Sequence, residues 1–236
     1  MKNLNISLVL PCLNEEKQIE KTVRDAYEWF RIKNFNCEVI VVNNASTDHS
    51  LDRLKNIQQF YPDLVIVNRQ TTGGYGASLK SGCDVAKMEV IAMMDSDGQF
   101  DIKDLELLLV HLGKADFVGG IRAHRNDSMV RKIEAMLWNL LLRMFMHVKA
   151  KDVDCGMKIF KRSIWKLIRP VYGSGNLFSG EMYYRLDKNN IPWTQVTVSH
   201  FPRRTGKAKG TTLHAIVEAL YQLTILAFQS KKNPSL

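Results

Sequence analysis

Five short apolar runs, at residues 6–10, 38–42, 64–67, 90–94 and 117–118, punctuate the first half of the chain and predict β-strands. The intervals between them carry apolar residues at helical spacing. Ile19, Val23, Ala26, Tyr27 and Phe30 form one stripe, and Ile102, Leu105, Leu108, Leu109 and Leu112 form another behind Asp101, the expected N-cap. Strands alternating with amphipathic helices predict an α/β fold, a mostly parallel Rossmann-like sheet flanked by helices, with these stripes as core.

The second half is less regular. It holds a basic stretch at 122–132, an amphipathic helix at 135–148, a polar segment at 152–158 and a Gly/Ser-rich turn at 173–180. A strand near 193–198 and a basic loop at 203–209 follow. Without a repeat, a low-complexity block or a linker, one domain is expected over 1–236, with a regular half (1–120) and an elaborated half (121–236).

In open α/β sheets ligands bind beyond the carboxyl ends of the strands, so the residues after each strand are where chemistry is expected. Pro11-Cys12-Leu13-Asn14-Glu15-Glu16 follows the first strand, Asn43-Asn44-Ala45-Ser46-Thr47-Asp48 the second, and Asp95-Ser96-Asp97-Gly98-Gln99 the fourth. These polar clusters are expected to converge on one edge. Asp95 and Asp97 would repel one another without a compensating charge, and their hard oxygens suit Mg²⁺ or Mn²⁺, with Gln99 as a third, neutral ligand. The plainer alternative is that both aspartates end a strand and cap the helix from Asp101, Gly98 supplying the turn.

With these motifs the chain resembles the family 2 glycosyltransferases of the GT-A fold, and within them the dolichol-phosphate mannose synthase and polyprenyl-phosphate glycosyltransferase group. Pro11-x-x-Asn14-Glu15 is similar to that family's nucleotide-side Pro-x-Tyr-Asn-Glu segment, and 43–48 to its Asp-rich turn at base and ribose. Asp95-Ser96-Asp97-Gly98-Gln99 is similar to its metal motif, and Gly74-Tyr75-Gly76-Ala77 with Lys80 and Gly82 to its glycine-rich segment near the donor. The resemblance implies donor contacts by Pro11, Leu13, Asn14, Glu15, Asn43, Lys80, Asp95, Ser96 and Asp97, and metal ligation by Asp95, Asp97 and Gln99. Arg122 and Arg131 match positions that meet the donor diphosphate or the acceptor phosphate. Asp152-Val153-Asp154-Cys155-Gly156 resembles the Asp-containing loop beneath the acceptor, and Arg203-x-x-Gly206-x-x-Lys209 the closing loop. Three positions depart from the pattern: Asn43 replaces an Asp at the base, and Ala135 and Ala208 replace serines.

Carried over, the resemblance implies inverting displacement at an anomeric carbon, with residues 1–120 on the nucleotide-sugar side and 121–236 on the acceptor side. Asp95, Asp97, Asp152, Asp154, Arg203 and Lys209 are the expected catalytic set. Arg122, Arg131, Glu181, Arg203 and Lys209 are expected on the acceptor or phosphate side. A lipid phosphate would need only positioning, whereas a hydroxyl would need a base such as Asp154 or Glu181. Glu181 fits helix capping equally well.

Charge narrows the partners. The chain has 33 Lys and Arg against 24 Asp and Glu, a net +9 that favours an anionic partner. It shows no helix-turn-helix, finger or RNA-recognition motif, which sets nucleic acid aside, and the resemblance implies a GDP- or UDP-linked sugar and a polyprenyl phosphate as partners. Met136, Leu137, Leu140, Leu141, Met144, Phe145 and Val148, flanked by Arg131, Lys132, Arg143, Lys149 and Lys151, fit an in-plane helix on an anionic membrane, or equally a face packed on the sheet. No window reaches the roughly 18 apolar residues of a spanning helix.

The four cysteines lack metal or disulfide spacing, the six histidines lack metal spacing, and the first residues do not form a secretory signal. A cytoplasmic enzyme peripheral to the membrane is expected. The alternatives are a transferase acting on a sugar hydroxyl, a nucleotidyltransferase, or an inactive membrane-associated scaffold. Sugar, base, oligomeric state and any membrane subunit stay open.

Overall fold

The computed structural model describes residues 4–123, 129–175, 177–203, 220–226 and 228. A seven-stranded sheet in the order β3-β2-β1-β4-β6-β5-β7 organises them. Its strands are β1 (Asn5–Cys12), β2 (Asn36–Asn44), β3 (Val65–Arg69), β4 (Val90–Met93), β5 (Phe117–Arg122), β6 (Lys158–Lys161) and β7 (Trp193–Val198). The helices are α1 (Ile19–Lys33), α2 (Ser50–Gln58), α3 (Gly74–Val85), α4 (Leu105–His111), α5 (Met129–Met146), α6 (Trp165–Ile168) and α7 (Leu177–Lys188). Residues 220–226 are also helical.

β1 lies between β2 and β4, parallel to both, and β3 extends the parallel set. Its side chains alternate: Ile6, Leu8 and Leu10 join the core beneath α1, and Val9 joins the opposite core with Leu79 of α3. Both faces are covered, which is why these strands read as near-continuous apolar runs. The α1 stripe is buried as expected, and Asn34 in the left-handed region (φ 53°) ends the helix. Asp101 caps a 3₁₀ turn leading into α4, accepting from the Lys103 N–H at 3.0 Å.

β6 was not foreseen. Only Ile159 and Phe160 separate its terminal lysines, too short a run to read as a strand. It forms because β4 and β5 both leave edges open, and it pairs antiparallel with each. The sheet is therefore mixed, and the expected 120/121 division falls inside β5, because β6 and β7 complete the sheet begun by the first half.

The packing of α5 joins the two readings of its apolar residues. Leu142 and Met146 are buried, and Trp138 and Leu141 pack partly against the core on the same side. Ile133, Met136, Leu137, Leu140 and Met144, spaced along the outward side, are 48–64% exposed, as is Phe145 at 55%. One face packs inward, and the other is exposed among the described residues. Among the described residues no helix is long and apolar enough to cross a membrane.

Candidate active site

The carboxyl ends of β1, β2 and β4 meet as the strand-end rule requires, held by side chains that the sequence presented as candidate ligands. Asn14, at φ 51°, turns its Oδ1 to the Thr47 N–H at 2.7 Å, and its own N–H donates to Ser46 Oγ at 2.9 Å. The Glu15 N–H donates to Ser50 Oγ at 2.8 Å, so the loop after β1 is laced to the loop after β2. Ser96 is buried and donates to the Pro11 carbonyl at 2.6 Å, which ties the Asp95–Asp97 turn to the same loop. Asn14 and Ser96 thus position the edge. Leu13 and the half-buried Pro11 lie on it.

Asp95 and Asp97 open at the end of β4. Burial, and after it the charge of Asp97, push the Asp95 carboxyl up to about 6. Asp95 Oδ1 accepts from the Tyr75 hydroxyl at 2.8 Å. Desolvation of the hydroxyl, and after it the Asp95 charge, hold that phenol well above its ordinary value, so it is a neutral donor on a side chain that is 36% exposed. On the other side, a Cβ on Gly156 would lie 2.1 Å from Asp95 Oδ2, so any side chain there would have to displace the carboxylate. Asp97 Oδ1 accepts from the Gln99 N–H at 3.0 Å, and its Oδ2 pairs with Arg203 Nη1 at 3.2 Å. Arg203 also pairs with Glu15.

The segment carrying Arg203 is delivered by three bonds. The Ser199 N–H donates to Asp104 at 2.6 Å, the Phe201 N–H donates to the Gln99 carbonyl at 2.9 Å, and Gln99 Nε2 donates to the Phe201 carbonyl at 3.1 Å. Gln99 therefore orders the arriving segment through its amide nitrogen.

The donor set fits a divalent cation. Two hard carboxylates share one strand end, one carries a pKa raised by burial and then by its neighbour's charge, and the other holds a guanidinium as its cationic partner. Among the described residues no cluster of three His, Cys, Asp or Glu side chains could hold a metal.

Other expected site residues are placed differently. Asp152 receives Arg122 in a two-point grip, from Nε at 2.8 Å and Nη2 at 2.7 Å, with both side chains about nine-tenths buried, so neither presents its full charge to the cleft. Asp154 is the exposed carboxylate of that loop, and its charge reaches Tyr75, Arg122 and Lys158.

Glu181 is fully buried, accepts from the backbone of Val171, Tyr172 and Gly173 at 2.7–2.9 Å, and takes Arg185 at 2.8 Å. Both its oxygens are committed to the protein, and it builds the 171–173 turn. The charges that act most strongly on Lys80 are those of Arg169, Glu181, Asp84 and Arg69. Asn43 is 2% exposed and gives its amide to Asn68 at 2.7 Å. The side chain of Arg131, on α5, lies outside the described residues, as does Lys209.

Sequence reasoning missed Lys158, the buried first residue of β6. Its ammonium donates to the Cys155 carbonyl, and burial lowers its pKa against the opposing pull of Cys155, Asp154, Asp95 and Asp152. A lysine beside an acidic segment reads as surface, and only the pairing of β6 turns it inward beneath the aspartates.

Residues 7–168, more than half the chain, match the family model for glycosyl transferase family 2. The chain belongs to that family. Among family relatives, a dolichyl-phosphate beta-glucosyltransferase of Trichomonas vaginalis is 28% identical over 69% of this chain and 55% of its own length. This chain thus spans about half of that relative. A dodecaprenyl-phosphate galacturonate synthase of Rhizobium johnstonii is 28% identical over 98% of this chain and 70% of its own. The glucosyl-3-phosphoglycerate synthase of Mycobacterium tuberculosis, solved with Mn²⁺, UDP-glucose and phosphoglyceric acid, superposes with TM-score 0.64 at 19% identity, covering 94% of this chain and 80% of that one. That likeness establishes the GT-A-type fold.

Proposed function

We propose that this chain is a metal-dependent, inverting glycosyltransferase that moves a sugar from a nucleotide-diphosphate donor to a polyprenyl phosphate at the cytoplasmic face of a membrane. The observation that carries the reading is the Asp95–Asp97 pair, open at a strand end with Arg203 already against it. Relatives named for dolichyl-phosphate and dodecaprenyl-phosphate products support the lipid acceptor.

Asp95 and Asp97 would hold Mg²⁺ or Mn²⁺. Bound there, the ion supplies Lewis-acid stabilisation of the charge growing on the departing diphosphate. The remaining work falls to the chain. Glu15 and Asp97 hold the Arg203 guanidinium at the cleft, where its planar fork can meet diphosphate oxygens, and Lys209 would add a further positive charge. A fixed donor of this kind contributes about 3–4 kcal/mol to such a transition state. An acceptor phosphate is already anionic and needs only to be oriented, a role for Arg131, since Arg122 is held by Asp152.

The outward stripe of α5 supports peripheral contact with the bilayer, with Arg143, Lys149 and Lys151 exposed beside it to meet anionic lipid. A membrane subunit or a second copy of the chain would compete for the same stripe. One observation favours a second reading: Asp154 is exposed by the cleft and would serve as general base towards a sugar hydroxyl. Radiolabelled UDP- and GDP-sugars, supplied with and without polyprenyl phosphate, separate the two. Label extracted into organic solvent only with the lipid supports the proposal, and label transferred only to a free saccharide overturns it.

A further inference from the structure

The side chain that hydrogen-bonds Asp95 comes from neither the metal motif nor the acceptor loop. Tyr75 stands in the first turn of α3, inside the Gly74-Tyr75-Gly76 segment, and its hydroxyl reaches Asp95 Oδ1 at 2.8 Å. Its mounting is pinned from two sides. From the sheet, Asn44 Oδ1 accepts from the Gly73 N–H at 3.2 Å and from Arg69 Nε at 3.1 Å, and Asn44 Nδ2 donates to the Gly74 carbonyl at 3.4 Å. From the opposite side, the Ala77 N–H donates to the Ser174 carbonyl at 2.9 Å.

Gly74 makes that approach possible. Its φ of +80° suits glycine, and a Cβ there would lie 2.8 Å from the Ser174 oxygen. The turn bearing Ser174 is fixed in turn by Glu181, which accepts from the Gly173 N–H at 2.7 Å.

A carboxylate that binds a cation loses affinity if it can rotate, because the productive orientation is then only one of several. Here one oxygen of Asp95 is held by a rigidly mounted phenol and the other is backed by the Gly156 backbone. We propose that Tyr75 is a positioning residue of the metal centre, holding the Asp95 carboxylate in the orientation that meets the divalent cation. The inference rests on the metal-dependent reading above. Hydrogen-bond partners of metal-binding carboxylates are worth about 10- to 100-fold in metal affinity.

The test is Tyr75→Phe in the full chain, which removes one oxygen and keeps the ring. Mn²⁺ binding is followed by loss of the aqueous Mn²⁺ electron paramagnetic resonance signal, with and without UDP, beside thermal melting and the Mn²⁺ dependence of turnover. The variant is expected to bind Mn²⁺ about 10- to 100-fold more weakly, to melt with the parent, and to regain most of its kcat at saturating Mn²⁺. Gly74→Ala, which moves the mounting without touching the phenol, is expected to weaken Mn²⁺ in the same direction. Equal Mn²⁺ affinity in the parent and Tyr75→Phe overturns the role of Tyr75 and leaves the metal site standing. If the parent takes up no Mn²⁺, or Asp97→Ala binds it as well as the parent, the metal reading falls and Tyr75's role falls with it.

Discussion

Gly156→Ala is the smallest perturbation that reaches the proposed chemistry. The added methyl would sit 2.1 Å from Asp95 Oδ2 and 2.4 Å from its Cγ, with no other group among its three nearest atoms. Ordinary contact needs more than an ångström of extra separation, and Asp95 cannot retreat without stretching its 2.8 Å bond to Tyr75. Displacing a reacting or metal-holding group by about 1 Å costs about 100-fold in rate, or about 2.7 kcal/mol of transition-state stabilisation.

The fold itself should not suffer. Gly156 is not among the positive-φ residues, so alanine fits its backbone and restricts the unfolded chain slightly. Initial rates with a radiolabelled nucleotide sugar at saturating Mn²⁺, beside a thermal melt, measure both effects. Gly113→Ala is the control, because a Cβ there meets nothing within 4 Å. Turnover of Gly156→Ala within about threefold of the parent would refute the claim that Asp95 must keep its place, since that is far below the loss an ångström of displacement produces.

Other predictions concern neighbouring groups. Asp97→Ala, or excess EDTA, should abolish sugar transfer while circular dichroism stays unchanged; full activity in EDTA would remove the metal from the scheme. Asp95 titrates near about 6 when folded against an ordinary 3.8, so the folded chain keeps a proton the unfolded chain has lost between those values. The stability of the metal-free protein should therefore fall as pH rises from about 4 to about 6 and level off above, and Mn²⁺ affinity should weaken below about pH 6, both readable by denaturant melts and Mn²⁺ titrations. Glu181→Gln should cost about 3 kcal/mol in urea unfolding, because an amide group would face buried N–H donors and Arg185 would lose its partner, while KM for the donor stays unchanged. Liposomes containing acidic lipid should sediment the chain, and Leu137→Glu with Leu140→Glu on the exposed face of α5 should abolish this without lowering the melting temperature.

Much of this protein is decided locally. Buried parallel strands need uninterrupted apolar runs and the helices over them need a stripe, so β1, β2, β4 and α1 could be read from spacing alone. The strand-end rule then located Asp95 and Asp97, because a residue leaving a parallel strand at its carboxyl end has few places to go. What spacing cannot encode is which polar side chain spends its bonds on the protein itself. Asn14, Ser96, Asp152 and Glu181 look like ligands in a one-dimensional string, yet each is committed to a partner 8 to 85 positions away. Tyr75 and Lys158 look unremarkable there and come to lie against or beneath Asp95 only when α3 docks on the 174 turn and β6 fills the gap between β4 and β5. Hydrophobic periodicity is a property of neighbours along the chain and survives in the sequence, whereas hydrogen-bond satisfaction is a property of neighbours in space and is settled only when the sheet closes.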